Sequence, residues 1–288
     1  MKRIIVTGGS GKLGRATVSA LTTAGYDVIN MDRVPCQTNP HAPFVKVDFE
    51  DIRATTEAFA GMDIGHERIV HGVVHLAAIP VPWGGLSADV FRSNTTTTYN
   101  VFETCRRLGI KNVVWASSET LLGIPYNVPP PYFPVDEDYE GRPETGYALS
   151  KYLGEHMAKQ FCRWDPELKI VCLRFSNVMD VQEYAGFADF EKDPGSRRFN
   201  LWSYIDARDG AEAIRLSLEH KTTGADVFVI ANADGVMRRP NSELVAEWYP
   251  GVPFKREVGP NETLLSIEKA RRVLGYEPRH SWREEVAK

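Results

Sequence analysis

The chain has 288 residues, 43% of them hydrophobic and 25% charged, with a formal net charge of −4. That length supports one large α/β domain or two small ones and buries a core without staples. The acidic balance argues against a nucleic-acid partner. Four cysteines (36, 105, 162 and 172) with no CxxC spacing read as reduced, mostly structural thiols. No apolar run approaches the 18 or so residues that span a bilayer, so the expected setting is cytoplasmic and free of membrane.

The first predicted strand, Ile4-Ile5-Val6, runs into Thr7-Gly8-Gly9-Ser10-Gly11-Lys12-Leu13-Gly14 and then a helix over 15–24, stopped by Gly25. Gly8 permits a tight turn, Gly11 lets backbone approach a pyrophosphate, and Gly14 lets the helix pack close to the strand. Phosphates would then lie over the free N–H groups at the helix N-terminus. A second strand over 26–31 ends at Asp32, 18 residues after Gly14. An acid there bonds the ribose hydroxyls of NAD and repels the 2′-phosphate of NADP. The adjoining Arg33 is a guanidinium that could accept that phosphate, so the sequence leaves both coenzymes open while favouring NAD.

The third strand, residues 44–48, ends in Asp48, which either faces the adenine or caps a helix beginning near Ile52. Phe49, next to it, is placed with the cofactor. A fourth strand, 68–76, closes on His75-Leu76-Ala77-Ala78, whose small residues let backbone lie beside the cofactor. His75 reads as a packed structural histidine. Pro80, Pro82, Gly84 and Gly85 form a loop, followed by a helix over 88–108. Its threonines 95–98 are poor helix formers and need tertiary packing. The fifth strand covers 111–117. Strand and helix alternate throughout, the pattern of a parallel sheet covered on both faces.

Residues 125–144 are proline-rich and acidic, a loop suited to a site wall. Its carboxylates lack a neighbouring histidine, so a solvated surface is expected rather than a metal site. A helix over 146–164 and a strand over 169–175 follow. Residues 177–200 lack periodicity and form the expected substrate segment. A helix over 209–219 and a strand over 226–231 return to the sheet, and the tail from Asn232 reads as a small lid with a helix over 242–248.

Tyr147-Ala-Leu-Ser-Lys151 places a phenol and an ammonium one helical turn apart on one face. The lysine, together with a cationic nicotinamide, would favour the tyrosinate and lower its pKa from near 10. Tyr147 then becomes a usable base at neutral pH. Ser117 and Ser118 end the fifth strand, at the sheet edge where α/β proteins put their sites. A hydroxyl there holds the reacting oxygen, although strand-end capping explains a serine equally well.

With these residues in place, the chain resembles the extended short-chain dehydrogenase/reductase family, also called the NAD-dependent epimerase/dehydratase family. The resemblance spans nearly the whole chain. It rests on the 7–14 glycine loop, His75-Leu76-Ala77-Ala78, Trp115-Ala116-Ser117-Ser118, Tyr147-xxx-Lys151, Leu173-Arg174-Phe175-Ser176-Asn177, and the ending Leu274-Gly275-Tyr276-Glu277-Pro278. It implies a Rossmann-type doubly wound parallel sheet over 1–176 and 203–231, with a small C-terminal substrate-binding domain from 177–202 and 232–288. It further implies NAD as cofactor and a homodimer through the helices at 88–108 and 146–164.

The same resemblance gives Ser118, Tyr147, Lys151 and Asn94 as the catalytic set, with Ser117 the second choice of serine. Gly8, Gly11, Lys12, Leu13, Gly14, Asp32, Arg33, Asp48, Phe49, Leu76, Ala77 and Ala78 surround the cofactor. Ser117, Glu119 and Asn177 face the substrate. Sugar dehydratases carry an acid pair after the serine, whereas this chain has Glu119-Thr120, which demotes dehydration. Asn177-Val178-Met179-Asp180 departs from the usual Asn-Val-Tyr-Gly-Pro, so a standard nucleotide-sugar pocket is not expected. Leu201-Trp202-Ser203-Tyr204-Ile205-Asp206 looks like uronate dehydrogenases, and Arg197 and Arg198 before it suit a substrate carboxylate. The leading expectation is an NAD-dependent dehydrogenase of a sugar, sugar acid or related polyhydroxylated molecule. A nucleotide-sugar 4-epimerase is the alternative, and a catalytically silent NAD-binding regulator the third.

Overall fold

The computed structural model describes residues 1–37, 42–62, 69–80 and 86–286. The start of the expected fourth strand at Arg68, and Pro82, Gly84 and Gly85, lie outside the described residues. Seven strands form the main sheet: β1 (Arg3–Thr7), β2 (Asp27–Asp32), β3 (Phe44–Lys46), β4 (Val70–His75), β5 (Asn112–Ser118), β6 (Lys169–Phe175) and β9 (Gly224–Ile230). Their order is β3-β2-β1-β4-β5-β6-β9 and every pairing is parallel. Winding therefore reverses between β1 and β4. Open α/β sheets bind ligands in the crevice at the strand ends there.

Alternation along the strands sorts apolar side chains onto two faces. Ile4, Val6, Val74, Val114 and Leu173 belong to one buried cluster; Ile5, Val73, Val113, Trp115 and Ile170 belong to the other. The helices α1 (Lys12–Thr23) and α6 (Ala207–Glu219) supply Val18, Leu21 and Ile214 to the first face. The second face is covered by α2 (Ile52–Ala60), α3 (Ser87–Arg107) and α4 (Gly146–Trp164), through Phe59, Phe102 and Phe161. Three of the four cysteines are buried free thiols in this second cluster.

The expected irregular segment at 177–200 is more ordered than its sequence pattern suggests. A two-residue strand, β7 (Val178–Met179), pairs with β8 (Ile205–Asp206), and short helical turns occupy 181–186 and 194–200 around α5 (Phe187–Lys192). Short turns carry too few residues for a helical period to register in sequence. The C-terminal helices α7 (Asn241–Trp248), α8 (Glu268–Leu274) and α9 (Trp282–Val286) are held by Trp202, Tyr204, Tyr249, Tyr276 and Trp282, which share the first face's apolar cluster. Of the described residues, no helix is long and apolar enough to cross a membrane.

Candidate active site

A cavity of about 820 Å³ opens where β1 and β4 part. Gly8 turns the chain out of β1 at φ +69°, and a Cβ there would stand 2.6 Å from the Ala77 nitrogen. The loop after β1 thus rests on the loop after β4, which accounts for the small residues at 77 and 78. At Gly14 a Cβ would fall 2.1 Å from the Gly8 carbonyl oxygen, so only glycine lets α1 sit this close to the turn. The N-terminus of α1 has no side-chain cap, which leaves its N–H groups for an anion. This uncapped turn, bordered by glycines and followed by the Asp32 carboxylate, fits a dinucleotide pyrophosphate and its ribose.

Asp32 ends β2 and accepts hydrogen bonds from the backbone of Ser10 (3.1 Å) and Arg33 (2.6 Å). It lines the cavity with Gly8, Gly11, Lys12, Leu13, Gly14, Arg33, Phe49, Leu76, Ala77 and Ala78. Two members of the expected cofactor set behave differently. Asp48 is not among the lining residues, and it neither faces the cavity nor caps α2. It pairs with Arg33 at 2.8 Å, while Asp51 caps α2 by accepting from Arg53 and Ala54. Lys12 lines the cavity, but its ammonium is already bound by Glu183 (2.6 Å) and the Val178 carbonyl (3.0 Å).

Arg33 also donates to Glu50 at 2.5 Å, and Ser93 Oγ donates to the same carboxylate oxygen at 2.8 Å. The guanidinium holds both the Asp48 and Glu50 carboxyls below their usual range. A 2′-phosphate would therefore compete with two carboxylates for Arg33 and meet Asp32 as well. NAD should accordingly bind more tightly than NADP. Asp32→Ala should narrow the preference about tenfold, roughly 1.4 kcal/mol. Asp48→Asn with Glu50→Gln should add only a few-fold for NADP, because half-exposed pairs contribute about 0.2–1 kcal/mol. Fluorescence titration with NADH and NADPH measures both; tighter NADPH binding by the unmodified protein would assign the choice to Arg33.

Ser118 terminates β5 and starts a helical turn over Glu119–Leu122 that Gly123 closes at φ +110°. Its oxygen accepts from the Thr120 amide (3.2 Å) and the Thr120 hydroxyl (3.0 Å). Ser118 therefore caps the turn, and its hydroxyl also lies where it favours the ionised form of the Tyr147 phenol. Thr145 caps α4 through the Ala148 amide at 3.0 Å, which sets Tyr147 in the first turn. Lys151, one turn on, is buried; its Nζ donates to the Ala116 carbonyl (2.7 Å) and lies 5.7 Å from the Tyr147 ring centroid.

The expected lowering of the Tyr147 pKa joins Lys151 to a cationic nicotinamide; the protein's own groups by themselves act the other way. Desolvation prevails: the phenol is pushed up to about 12, with the Ser118 hydrogen bond opposing, and Lys151 is pulled down to about 7. His75 is structural, its Nδ1 bonded to Thr7 Oγ1 at 2.7 Å and its pKa pulled by burial to about 3.

The substrate-facing expectations divide. Ser117, Ser118, Glu119 and Asn177 line the cavity. The Ser117 hydroxyl, however, donates to Glu155 (2.6 Å), which is itself ion-paired with the buried Arg174. Glu119 is buried, and its carboxylate accepts from Ser176 Oγ (2.7 Å) and Asn200 Nδ2 (3.2 Å); desolvation raises it to about 7. Arg197 and Arg198 are not among the lining residues. Arg197 is buried between Phe190 and Phe199 and donates to the Ser203 carbonyl, while Arg198 lies over Trp248. Asn94 also stays out of the cavity wall. Its amide pairs both ways with the Ile79 backbone, at 2.8 and 3.1 Å, and so holds the strand-end loop.

Sequence reading missed Ser10, Ser93, Thr97, Thr120 and Ser176, all of which line the cavity. Ser93 and Thr97, four apart on α3, carried a usable signal as polar residues on a helix that must pack; Thr97 was read only as a weak helix former and Ser93 not at all.

A model of the NAD-dependent epimerase/dehydratase family matches residues 4–189, more than half of the chain. The chain belongs to that family. NAD is therefore its cofactor, in agreement with the uncapped α1 turn and Asp32. Family members similar to it include UDP-glucose 4-epimerase of Mus musculus, 28% identical over 225 residues, or 71% of this chain and 61% of that protein. The chain thus matches less than two thirds of that relative's length. UDP-glucose 4-epimerase of Thermotoga maritima, solved with UDP-glucose, superposes with a TM-score of 0.73 at 24% identity, covering 99% of this chain and 96% of the other. A mutated uronate dehydrogenase superposes with a TM-score of 0.67 at 22% identity, covering 99% and 86%. Both superpositions establish the doubly wound α/β fold.

Proposed function

We propose that this family member oxidises a hydroxyl of a sugar, sugar acid or related polyhydroxylated small molecule, with Tyr147 as the proton acceptor. The observation that carries this reading is the convergence of Ser118, Tyr147 and Lys151 on one cavity with the glycine loop and Asp32. NAD, when bound, supplies the hydride acceptor and a positive charge beside the phenol. Thr120 donates twice to the Ser118 oxygen, which turns the serine's own proton toward the phenol and the reacting oxygen. Tyr147 takes the substrate's hydroxyl proton while Ser118 holds that oxygen. Lys151, anchored on the Ala116 carbonyl and lining the cavity, would stabilise the tyrosinate and hold the ribose of a bound NAD.

One cavity of about 820 Å³ must take both cofactor and substrate, which favours a small substrate. We place that substrate against 177–202 and 232–288, the cofactor on 1–176 and 203–231, and the enzyme in the cytoplasm. We also propose a homodimer through α3 and α4, whose outer faces expose Tyr99, Leu149 and Leu153.

The second reading is a sugar 4-epimerase, favoured by relatives named UDP-glucose 4-epimerase. The two differ in the fate of the hydride. A dehydrogenase releases a ketone or lactone with NADH, so absorbance accumulates in proportion to substrate consumed. An epimerase returns the hydride to the opposite face, so product is inverted and no net NADH appears. Stoichiometric NADH from a panel of sugars, sugar acids and nucleotide sugars is the expected result. Inverted product without NADH would decide for the epimerase, and NAD binding without either would leave the silent regulator.

A further inference from the structure

The charges that line the cavity are Lys12, Arg33, Lys151, Asp32 and Glu119 among the described residues. Lys12 is bound by Glu183, Arg33 by Asp48 and Glu50, and the Lys151 ammonium is desolvated and turned to the Ala116 carbonyl. Beyond Ser118 the charged group on the wall is Glu119. Its nearest cation, Arg197, stands behind the wall: stacked on Phe190 and Phe199, bonded to Ser203, and attracted to both Glu119 and Glu183. Arg197 thus stabilises Glu119 from within and offers no guanidinium edge to the cavity.

Both Glu119 carboxylate oxygens are bonded within the protein, with acceptor capacity to spare. A carboxylate offers about four lone-pair sites; Ser176 Oγ, Asn200 Nδ2 and the Asn177 amide occupy three. Neither Asn200 nor Arg197 lines the cavity, so Glu119 is the acceptor of this group that a ligand there can reach.

We propose that Glu119 sets the substrate class of the cavity: it accepts a hydrogen bond from a neutral hydroxyl of the substrate and excludes a substrate that carries a carboxylate in that hydroxyl's place. The inference rests on the oxidoreductase reading above and narrows it to neutral sugars and polyols. A second anion beside Glu119 meets a desolvated carboxylate whose neighbouring cation, Arg197, is held among Phe190, Phe199 and Ser203, whereas a hydroxyl fills the remaining acceptor position.

The test is calorimetric binding to the NAD-loaded protein at pH 8.5, above the Glu119 value. Matched probes are glucose and glucuronate, galactose and galacturonate, and UDP-glucose and UDP-glucuronate. The unmodified protein should prefer the neutral member at least tenfold, and Glu119→Gln, which keeps the shape of the side chain, should shrink that preference at least tenfold. Equal or tighter binding of the acids by the unmodified protein would overturn the proposal without any variant. So would binding of no probe, or a preference unchanged in Glu119→Gln. Charge selection without turnover would fail the redox reading alone; turnover without charge selection would fail this inference alone.

Discussion

Replacing Tyr147 by phenylalanine should lower turnover by about 10²–10⁴-fold, the span that a positioned proton acceptor contributes. NAD affinity should stay within a few-fold, because the lost hydroxyl bonds Ser118 and no backbone moves. The unmodified enzyme's oxidation rate should also climb with pH between 6 and 9. Burial raises the phenol, so the active tyrosinate is the minor form and grows as protons are removed. Stopped-flow NADH formation against pH, with NADH titration of the variant, checks both halves. A Tyr147→Phe enzyme with near-normal turnover would remove Tyr147 from the chemistry, and lost NAD binding would make its role structural.

Gly14→Ala should have the second large effect, on cofactor binding. The new methyl would meet the Gly8 oxygen at 2.1 Å and the Gly9 Cα at 2.7 Å. Both are backbone atoms of the turn, so no side chain can swing aside. Either α1 moves off β1 or the turn opens, and each displaces the N–H groups expected to hold the pyrophosphate. Overpacking of this kind costs about 1–3 kcal/mol in stability, and NAD affinity should fall by at least tenfold. Gly186→Ala is the control: nothing lies within 4 Å of its Cβ position, so stability should change by less than about 0.5 kcal/mol. Thermal melts with and without NAD measure both terms. A Gly14→Ala protein that binds NAD normally would show that the loop tolerates a wider turn.

The sequence by itself determined the order and kind of the seven main-sheet strands and of the helices that cover them, but not β7, β8, α5, α8 or α9. The helix expected over 146–164 and the strand over 169–175 match α4 and β6 end to end, because a capping threonine, a helical period and a continuous apolar run are local signals. It also determined the cofactor turn and the Tyr147–Lys151 pair, whose spacing is a property of one turn or one helix. Tertiary structure alone decided what those groups experience. Desolvation, a sum over neighbours from several elements, raised Tyr147 and lowered Lys151 against the direction that spacing suggests. Arg33 is 15 and 17 residues from the acids that occupy it, and Lys12 is 171 from Glu183, so neither pairing has a local signature. Arg197 and Arg198 looked available because a polar loop reads as exposed; aromatic residues from α5, α7 and the same loop cover them instead. Which side chain faces a cavity depends on how distant elements pack against each other, and no periodicity along the chain encodes that.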